Sequence, residues 1–311
     1  MTTDAIKAKA RELGFAGVGV ARAEHLDNES AHLEEWLRRG FHASMVWMGR
    51  DAEKRSDPRF ILSSAKSVVC VALNYFVPHR HSTDPERGKI SRYAWGDDYH
   101  LILDDRLRAL EETIKQLYPS AQTRRYVDTG PVMDKAWAVR AGLGWMGKHT
   151  NVISKEVGSW IFLGEILTDL ELEYDSPLED FCGTCAACID ACPTQALVEP
   201  YVLDSNKCIS YLTIEHRGNL ADSLTTKFDN WIYGCDICQD VCPWNRFQQP
   251  TTEAAFQPRE FNLEPKLENV AAMSADEFVE RFRKSPIKRT KREGLARNAR
   301  AVLQASMKES I

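Results

Sequence analysis

Eight of the nine cysteines fall into two groups in the second half of the chain, and their spacing is that of metal ligands. The first group is Cys182, Cys185, Cys188 and Cys192, followed by Pro193, and it reads C-x2-C-x2-C-x3-C-P. This run is typical of bacterial ferredoxins with two 4Fe-4S clusters, in which the fourth cysteine binds the other cluster. The first group therefore predicts a reciprocal group elsewhere in the chain.

The second group repeats the end of the motif as Cys235, Cys238 and Cys242, again followed by a proline. Position 232, where its first cysteine should stand, is isoleucine, and Cys208 is the remaining candidate. The 26 residues between Cys208 and Cys235 would then be an insertion. The prediction is one 4Fe-4S cluster on Cys182, Cys185, Cys188 and Cys242, and another on Cys192, Cys208, Cys235 and Cys238. The alternative is two zinc sites of four cysteines each, for which the x3-C-P endings are not the usual spacing.

The stretch AGLGWMGKHT, residues 141–150, looks like a nucleotide-binding loop but lacks the right context. Gly142, Gly144 and Gly147 read G-x-G-x-x-G, and His149 stands where a phosphate loop has the Ser or Thr that binds magnesium. The preceding PVMDKAWAVRA predicts a helix from Pro131 to Gly142, whereas a dinucleotide fingerprint follows a strand. The better interpretation is a close backbone passage, against a large flat ligand, where side chains would not fit.

The composition is that of a globular protein, and two clusters alone conduct electrons without catalysing a reaction. The chain has 311 residues, 43% hydrophobic and 27% charged, with a net charge of -5 and a mean hydropathy of -0.39. No apolar run approaches the roughly 20 residues of a membrane span, and the N-terminus reads as an amphipathic helix rather than a secretory signal. We expect a cytoplasmic protein without membrane contact, where clustered cysteines are more often metal ligands than disulfides.

Hydrophobic patterns predict the elements that must hold a catalytic site. The expected elements are strands at 17–23 and 67–76, a helix at 101–118, a hairpin over 151–167 that turns near Gly158, and helices across 260–311 with a Ser274–Glu277 capping box. Cys70 lies inside the second strand and is expected to be a small core residue. Three zones follow: 1–175 with mixed helix and strand, 176–255 with the cysteines, and a helical 256–311.

Positive charge is concentrated near the C-terminus. Residues 281–300 contain nine Lys or Arg and one Glu, a local balance of +8, so the remainder carries -13. Such a segment either contacts phosphates or is a solvated helix face, and the sequence leaves both possibilities open.

Together these motifs resemble the epoxyqueuosine reductase family of tRNA modification. The resemblance lies in KRSDPRF, KISRYAWGDDYH, YVDTGPVMDKAWAVRAGLGWMGKHTNVIS and the split cysteine pattern, and SPIKRTKREGLARNA extends it. It implies an α+β protein with a nitroreductase-like α/β cobalamin domain at 1–175, a two-cluster ferredoxin-like domain at 176–255, and a basic helical segment at 256–311. The resemblance further implies that this last segment is a truncated form of the HEAT-like repeats of longer members, and that the chain is distantly related to reductive dehalogenases.

The resemblance also implies the reaction and the residues that perform it. Two 4Fe-4S clusters would pass electrons to cobalamin, and its Co(I) form would deoxygenate epoxyqueuosine to queuosine at the tRNA wobble position. Asp134 would be the proton donor, and Asp128 is the neighbouring alternative. The non-catalytic alternative is that Asp134 is simply an acidic residue at the start of a helix. Burial must raise the pKa of Asp134 for that purpose, against the helix dipole.

The remaining expectations concern cofactor and partners. Arg55, Tyr99, Asp134, Val152, Ser210 and Gly234 lie in matching segments and are expected to line the corrin. The resemblance implies base-off cobalamin without a protein histidine ligand. The sequence fits this, since it has no D-x-H-x-x-G motif: after Asp98-Tyr99-His100, position 103 is leucine.

The expected partners are tRNA with a GUN anticodon carrying epoxyqueuosine and an external low-potential electron donor, with the chain a monomer. The candidate tRNA contacts are Arg217, Lys288, Arg289, Lys291 and Arg292, with Trp95 or Trp244 stacking on a base. Alternatives are a dehalogenase-like cobalamin enzyme, a plain electron carrier, and a tRNA-binding module with structural clusters.

Overall fold

The computed structural model describes residues 2–309, and side chains within residues 3–306. Its strands are β1 (Gly17–Arg22), β2 (Ser67–Asn74), β3 (Lys89–Ile90), β4 (Thr123–Tyr126), β5 (Trp145–Met146), β6 (Val152–Ile153), β7 (Ile161–Thr168), β8 (Leu197–Glu199), β9 (Val202–Leu203) and β10 (Trp231–Tyr233). Its α-helices are α1 (Thr2–Glu12), α2 (Asp27–Arg38), α3 (Ala52–Ser56), α4 (Tyr99–Leu117), α5 (Asp134–Arg140), α6 (Ala187–Asp190), α7 (Ile209–Ile214), α8 (Asp222–Thr225), α9 (Ile237–Asp240), α10 (Glu260–Leu263), α11 (Leu267–Ala272), α12 (Ala275–Arg281) and α13 (Lys291–Glu309).

A four-stranded antiparallel sheet in the order β1-β2-β7-β4 organises the N-terminal half. Strand β2 has the sequence SVVCVALN and is buried except at its last residue, which fits the apolar, β-branched pattern that predicted it. Cys70 is fully buried in β2, which confirms its expected place in the core. The predicted strand at 17–23 and helix at 101–118 are also present, as β1 and α4.

Helices cover both faces of this sheet. On one face, α1 and α4 pack their apolar side chains against Val69, Val71 and Ile166. On the other face, α5 packs Ala136 and Trp137 against side chains of β2 and β7. Residues that alternate along a strand point to opposite faces, so in β7 Glu165 lies on the α5 side while Ile166 lies on the α4 side.

Two predictions for this half are wrong, the start of one helix and one hairpin. Helix α5 begins at Asp134, not Pro131, because Met133 has φ -93° and ψ 76°, outside the helical region. The predicted hairpin over 151–167 does not form as one unit. Strand β6 pairs with β5, and β7 pairs with β2 and β4, because the longer apolar strand is buried in the main sheet. A single antiparallel bridge, Ser154 to Gly158, remains at the expected turn.

A second core joins the cysteine region to the C-terminal helices. The insertion between Cys208 and Cys235 contributes Phe228, Trp231 and Ile232, which pack with Trp95 and with residues of α11 and α13. The Asn298 side-chain amide of α13 donates to the carbonyl oxygens of Thr213 and Ile232, each at 2.8 Å. The insertion therefore helps to fix α13, which also packs against α11.

The C-terminal region is helical as predicted, with α10 to α13 between residues 260 and 309. The capping box is present: the Ser274 hydroxyl accepts from the Glu277 amide, and the Glu277 carboxylate accepts from the Ser274 amide. Such a cap is worth about 1 kcal/mol. Within residues 2–309 no helix combines the length and the apolar character that a membrane span requires.

Candidate active site

A cavity of about 410 Å³ opens between the N-terminal sheet and the cysteine region. Its volume lies within the range of ligand-binding pockets. Apolar and aromatic residues dominate its N-terminal wall, where the Tyr99 and Phe162 rings stack at 4.3 Å and 4°. The side chains that define this wall are Tyr75, Tyr93, Tyr99, Lys135, His149 and Phe162.

The opposite wall of the cavity is made by one set of cysteines. Cys192, Cys208, Cys235 and Cys238 all line the cavity, whereas Cys182, Cys185, Cys188 and Cys242 do not. None of the nine cysteines forms a disulfide. The second predicted set is therefore the one that faces any molecule bound in the cavity.

Electrostatic effects between the thiols show which of them are neighbours. Burial raises the pKa of Cys188, and repulsion from Cys242, Cys182 and Cys185 adds to it. Burial likewise raises the pKa of Cys238, with repulsion from Cys208 and Cys192 and a smaller contribution from Cys188. The structure thus brings the thiols together in two adjacent sets of four.

Local structure explains how each set is assembled from distant residues. Two four-residue helices, α6 and α9, contain Cys188 and Cys238, the second-to-last cysteine of each motif, and pack against each other. Cys192 and Cys242 follow these helices, so each is turned away from its own motif toward the other. Cys208 is the N-cap residue of α7, and this position carries its thiol to the second set.

A buried ion-pair network fixes the loop between Cys235 and Cys238. The Asp236 side chain is 1% exposed and accepts hydrogen bonds from the Ser91 hydroxyl and, at 2.9 Å, from the Arg92 amide. The Arg92 guanidinium lies 3.3 Å from Asp236 and 3.4 Å from Asp240. His81 approaches Asp236 at 3.2 Å. These contacts hold the second thiol set in place against the sheet.

Asp128 is held as an anion near the cavity. Its carboxylate accepts a 2.7 Å hydrogen bond from the Tyr99 hydroxyl and lies 3.3 Å from His100 Nε2. Burial opposes ionisation, but the His100 and Tyr99 contacts outweigh it and lower the pKa of Asp128. Burial opposes protonation of His100, but its contacts with Asp128 and Asp98 outweigh burial and raise its pKa to about 9.

The pKa of Asp134, unlike that of Asp128, is raised. It is the first residue of α5 and half-buried, and its side chain approaches Glu165 of β7. Burial raises the pKa of Asp134 to about 6; the Glu165 contact lowers it, and the nearby negative charge of Asp128 raises it. The helix dipole that favours the anion is therefore outweighed by desolvation, as the acid role requires.

Lys135 and His149 bring polar atoms into the cavity. The Lys135 ammonium donates to the Thr150 carbonyl at 2.8 Å and to Asn151 Oδ1 at 2.9 Å. Burial, and then the charge of Lys135, lowers the pKa of His149 to about 4, so this imidazole is neutral near pH 7. Its Nδ1 accepts from the Asn151 amide at 3.2 Å, which places the proton on Nε2. That buried Nε2–H has no hydrogen-bond partner among the described residues.

The predicted corrin-lining residues divide into two groups. Tyr99 and Ser210 line the cavity, and Asp134 lies next to the lining residue Lys135. Arg55 instead donates weakly to the carbonyl oxygens of Arg50 and Trp47, and Val152 is buried in β6. Gly234 has φ +69° and its amide donates to the Thr213 hydroxyl, so it shapes the turn before Cys235.

The glycines of residues 142–147 follow a helix, as predicted, and mark a close backbone passage. A side chain at Gly142 would collide with the Ser176 carbonyl, and one at Gly144 or Gly147 would collide with Ile153. The crowding atoms belong to the chain itself, so these contacts alone account for the three glycines, and a flat ligand beside them stays a prediction.

The basic candidates form one small ion-pair group and several separate side chains. Arg217 donates to the Arg289 carbonyl at 2.7 Å, and Arg289 pairs with Glu215 at 2.7 Å. Arg292 pairs with Glu293 at 2.9 Å, whereas Lys288 and Lys291 are exposed. The other side of this segment is core, since Phe282, Ile287 and Leu295 are buried.

Neither Trp95 nor Trp244 is fully exposed for stacking on a base. Trp95 is fully buried and its indole donates to the Ile90 carbonyl at 2.7 Å, so the prediction that it stacks on a base is wrong. Trp244 is half-buried, with its ring 4.8 Å from Trp145 beside the first thiol set.

Glu165 is the main functional candidate that sequence reasoning missed. It is a lone acid in the otherwise apolar strand IFLGEILT and is 0% exposed. A buried acid is costly unless it is paired or neutral, so its presence in that strand was a usable indication. Lys135, next to Asp134, was also missed, because it belongs to no recognisable sequence motif.

Comparison with known proteins gives consistent matches along the chain. Residues 55–129 match the family model described as "Epoxyqueuosine reductase QueG, DUF1730", and residues 181–245 match "4Fe-4S double cluster binding domain". The epoxyqueuosine reductase of Synechocystis sp. is 50% identical over 92% of this chain and 100% of its own length.

Solved structures agree. An epoxyqueuosine reductase bound to an epoxyqueuosine-modified tRNA-Tyr stem loop has a TM-score of 0.90 and 35% identity, covering 96% of this chain and 80% of that one. A Bacillus subtilis epoxyqueuosine reductase, with its aspartate-bearing catalytic loop swung out of the active site, has a TM-score of 0.90 and 32% identity, covering 99% and 82%.

Proposed function

Because this chain belongs to the epoxyqueuosine reductase family, an oxidoreductase family that acts on epoxyqueuosine, we propose that it reduces epoxyqueuosine to queuosine at the tRNA wobble position. The observation that carries the proposal is the cavity between the sheet and the cysteines. One wall consists of four thiols suited to a redox cluster, and the other contains Lys135, beside the acid Asp134.

The two sets of thiols hold two 4Fe-4S clusters. Their chemistry fits, since eight free thiols lie close together and burial and mutual repulsion raise the pKa of several of them. Such crowding is costly without a cation to stabilise the thiolates. Cys182, Cys185, Cys188 and Cys242 bind the first cluster, and Cys192, Cys208, Cys235 and Cys238 bind the second. The second cluster then borders the cavity.

The cavity would hold base-off cobalamin, with Tyr99 and Ser210 among the residues that would contact it. The unpaired Nε2–H of His149 supports this fit, since it can donate to an amide oxygen at the edge of a corrin. A metal ligand needs a lone pair at that nitrogen, so His149 in this tautomer does not ligate cobalt. When bound, the cobalamin and the two clusters supply the two electrons that epoxide deoxygenation requires.

Asp134 supplies a proton to the departing oxygen. Loss of the epoxide oxygen as water consumes two electrons and two protons, and an unprotonated alkoxide is a poor leaving group. The pKa of Asp134 is raised to about 6, whereas contacts with His100 and Tyr99 keep Asp128 ionised. When the surroundings drive the pKa values of two carboxyl groups apart in this way, the group with the raised pKa, here Asp134, is the proton donor. The mobile catalytic loop of the Bacillus subtilis relative also bears an aspartate.

The substrate is tRNA with a GUN anticodon, held in part by the basic segment. Lys288, Lys291, Arg217, Arg289 and Arg292 are the contacts that we propose with its phosphates. The tRNA stem loop in the complex of the similar structure supports this class of substrate. The clusters would receive electrons from an external low-potential donor, and the chain would work as a cytoplasmic monomer.

The function is tested by anaerobic reconstitution with iron, sulfide and cobalamin, followed by a strong reductant and epoxyqueuosine-containing tRNA. We expect about eight irons per chain, one bound corrinoid, and conversion of the modified base to queuosine by nucleoside mass spectrometry. A chain that binds iron but no corrinoid would instead be an electron carrier. Turnover of a halogenated phenol, without turnover of the tRNA, would indicate dehalogenase chemistry.

Lys288→Gln should weaken tRNA binding and reduce its dependence on salt. If Lys288 contacts one phosphate, the slope of log K against log salt should become shallower by about 0.7 to 0.9. The matched control is Lys115→Gln in α4, whose ammonium pairs with Glu111 at 3.0 Å, and it should leave the slope unchanged. Binding titrations at several salt concentrations measure both, and equal slopes for wild type and Lys288→Gln would remove Lys288 from the interface.

A further inference from the structure

Glu165 is a fully buried acid, and among the described residues no counter-ion or hydrogen-bond donor pairs with its carboxyl group. It is 0% exposed in the middle of β7, paired across the sheet with Cys70 of β2 and with Tyr126 of β4. Neither carboxyl oxygen has a partner with hydrogen-bond distance and geometry among the described residues. An ionised carboxylate in such a place is strongly disfavoured, whereas a neutral carboxylic acid keeps one proton to donate.

Asp134 is the polar group that approaches this acid. Helix α5 packs on the face of the sheet to which Glu165 points, and its first residue is Asp134. The two carboxyl groups are close enough to interact directly, although the contact does not meet strict hydrogen-bond geometry in this structure.

The other titratable groups around the pair leave Glu165 no counter-ion. Cys70 of β2 is a buried thiol, Tyr126 of β4 is a phenol, and Asp128 after β4 is an anion. Lys135 of α5 is a cation, but its ammonium bonds to Thr150 and Asn151 on the cavity side. Helix α4 packs on the opposite face of the sheet. Consistent with this, burial and the two aspartates raise the pKa of Glu165 well above its ordinary value.

We propose that Glu165 is a positioning residue for Asp134: a permanently neutral carboxylic acid that donates a hydrogen bond to the Asp134 carboxylate. The donated bond holds Asp134 in one orientation after it has given up its proton. It also stabilises the ionised form of Asp134, and so limits how far burial can raise the pKa of that acid. This inference rests on the proposed function for its catalytic consequence, but the protonation of Glu165 does not depend on it.

Infrared spectroscopy of the iron-loaded protein tests the protonation without any substrate. At pH 7 the wild type should show the C=O stretch of a protonated carboxylic acid that shifts in D2O. Asp134→Asn and the exposed control Glu171→Gln should retain this band, and Glu165→Gln should lose it. A wild-type spectrum without the band would overturn the proposal, whether or not the protein converts tRNA.

Turnover as a function of pH tests the positioning role. Glu165→Gln keeps a donor to Asp134, so it should remain within about threefold of wild type and keep its pH midpoint. Glu165→Leu removes the donor, so the midpoint assigned to Asp134 should rise by about one pH unit, and the maximal rate should fall about tenfold or more. Substrate KM should not change, because Glu165 does not contact the tRNA.

Two results would contradict this role. A Glu165→Leu variant with wild-type midpoint and rate would show that Asp134 needs no support from Glu165. A Glu165→Gln variant as impaired as Glu165→Leu would show that Glu165 gives up a proton rather than a hydrogen bond. Iron content and the infrared spectrum of each variant serve as folding controls. If the wild type itself fails to convert tRNA, the proposed function fails while the infrared result still stands.

Discussion

We expect Asp134→Asn to lower single-turnover conversion of epoxyqueuosine by about 10² to 10⁴-fold, the usual contribution of a positioned general acid. The amide has nearly the same shape as the acid but cannot give a proton to the departing oxygen. The loss should appear in the rate rather than in tRNA affinity, because the substitution leaves the basic segment untouched. Anaerobic rapid-quench assays with nucleoside analysis measure this loss.

Asp128→Asn is the matched control for this experiment. Asp128 is the neighbouring carboxyl group, but contacts with His100 and Tyr99 keep it ionised, so it has no proton to give near pH 7. We expect this variant to retain at least about a tenth of the wild-type rate. A larger loss with Asp128→Asn than with Asp134→Asn would exchange the two roles.

The pH dependence follows from the same assignment. Asp134 must be protonated to act, and burial raises its pKa to about 6. The rate should therefore be highest below pH 6 and fall about tenfold per unit as the pH rises above that value. An increase with pH through this range would show a base rather than an acid.

Cys208→Ala should remove one cluster and abolish turnover, the second large effect expected. Cys208 lies at the N-cap of α7, and its thiol joins Cys192, Cys235 and Cys238 at the cavity wall. Losing one of four ligands at a thiolate cluster should lower the iron content from about eight to about four per chain. Electrons then have no path to the cavity. Iron analysis and electron paramagnetic resonance of the reduced protein provide the measurement.

Cys70→Ala is the internal control, because Cys70 is the ninth cysteine and is fully buried in β2. This variant should keep all of its iron and most of its activity. If Cys208→Ala retained the full iron content, the insertion would have to supply a different ligand, and the displaced-cysteine assignment would be abandoned.

The cysteine pattern and the core strands are largely local, which is why they could be predicted. Strand β2 follows from a run of β-branched and apolar residues, and the Ser274–Glu277 cap follows from two residues three positions apart. The prediction of a hairpin at 151–167 was wrong, since the pairing of β7 depends on β2 and β4, which come much earlier in the chain. The turn near Gly158 depends on residues close together in the chain, whereas the strands that pair with β7 are distant in sequence.

The sequence by itself determined that eight cysteines repeat a two-cluster motif with one displaced member, because that information resides in spacing along the chain. Only the tertiary structure decided which four thiols face a cavity, and that Glu165 lies beside Asp134. Both depend on how α5, β7 and α9 pack. Such packing sets desolvation, and desolvation decides whether a carboxyl group keeps its proton.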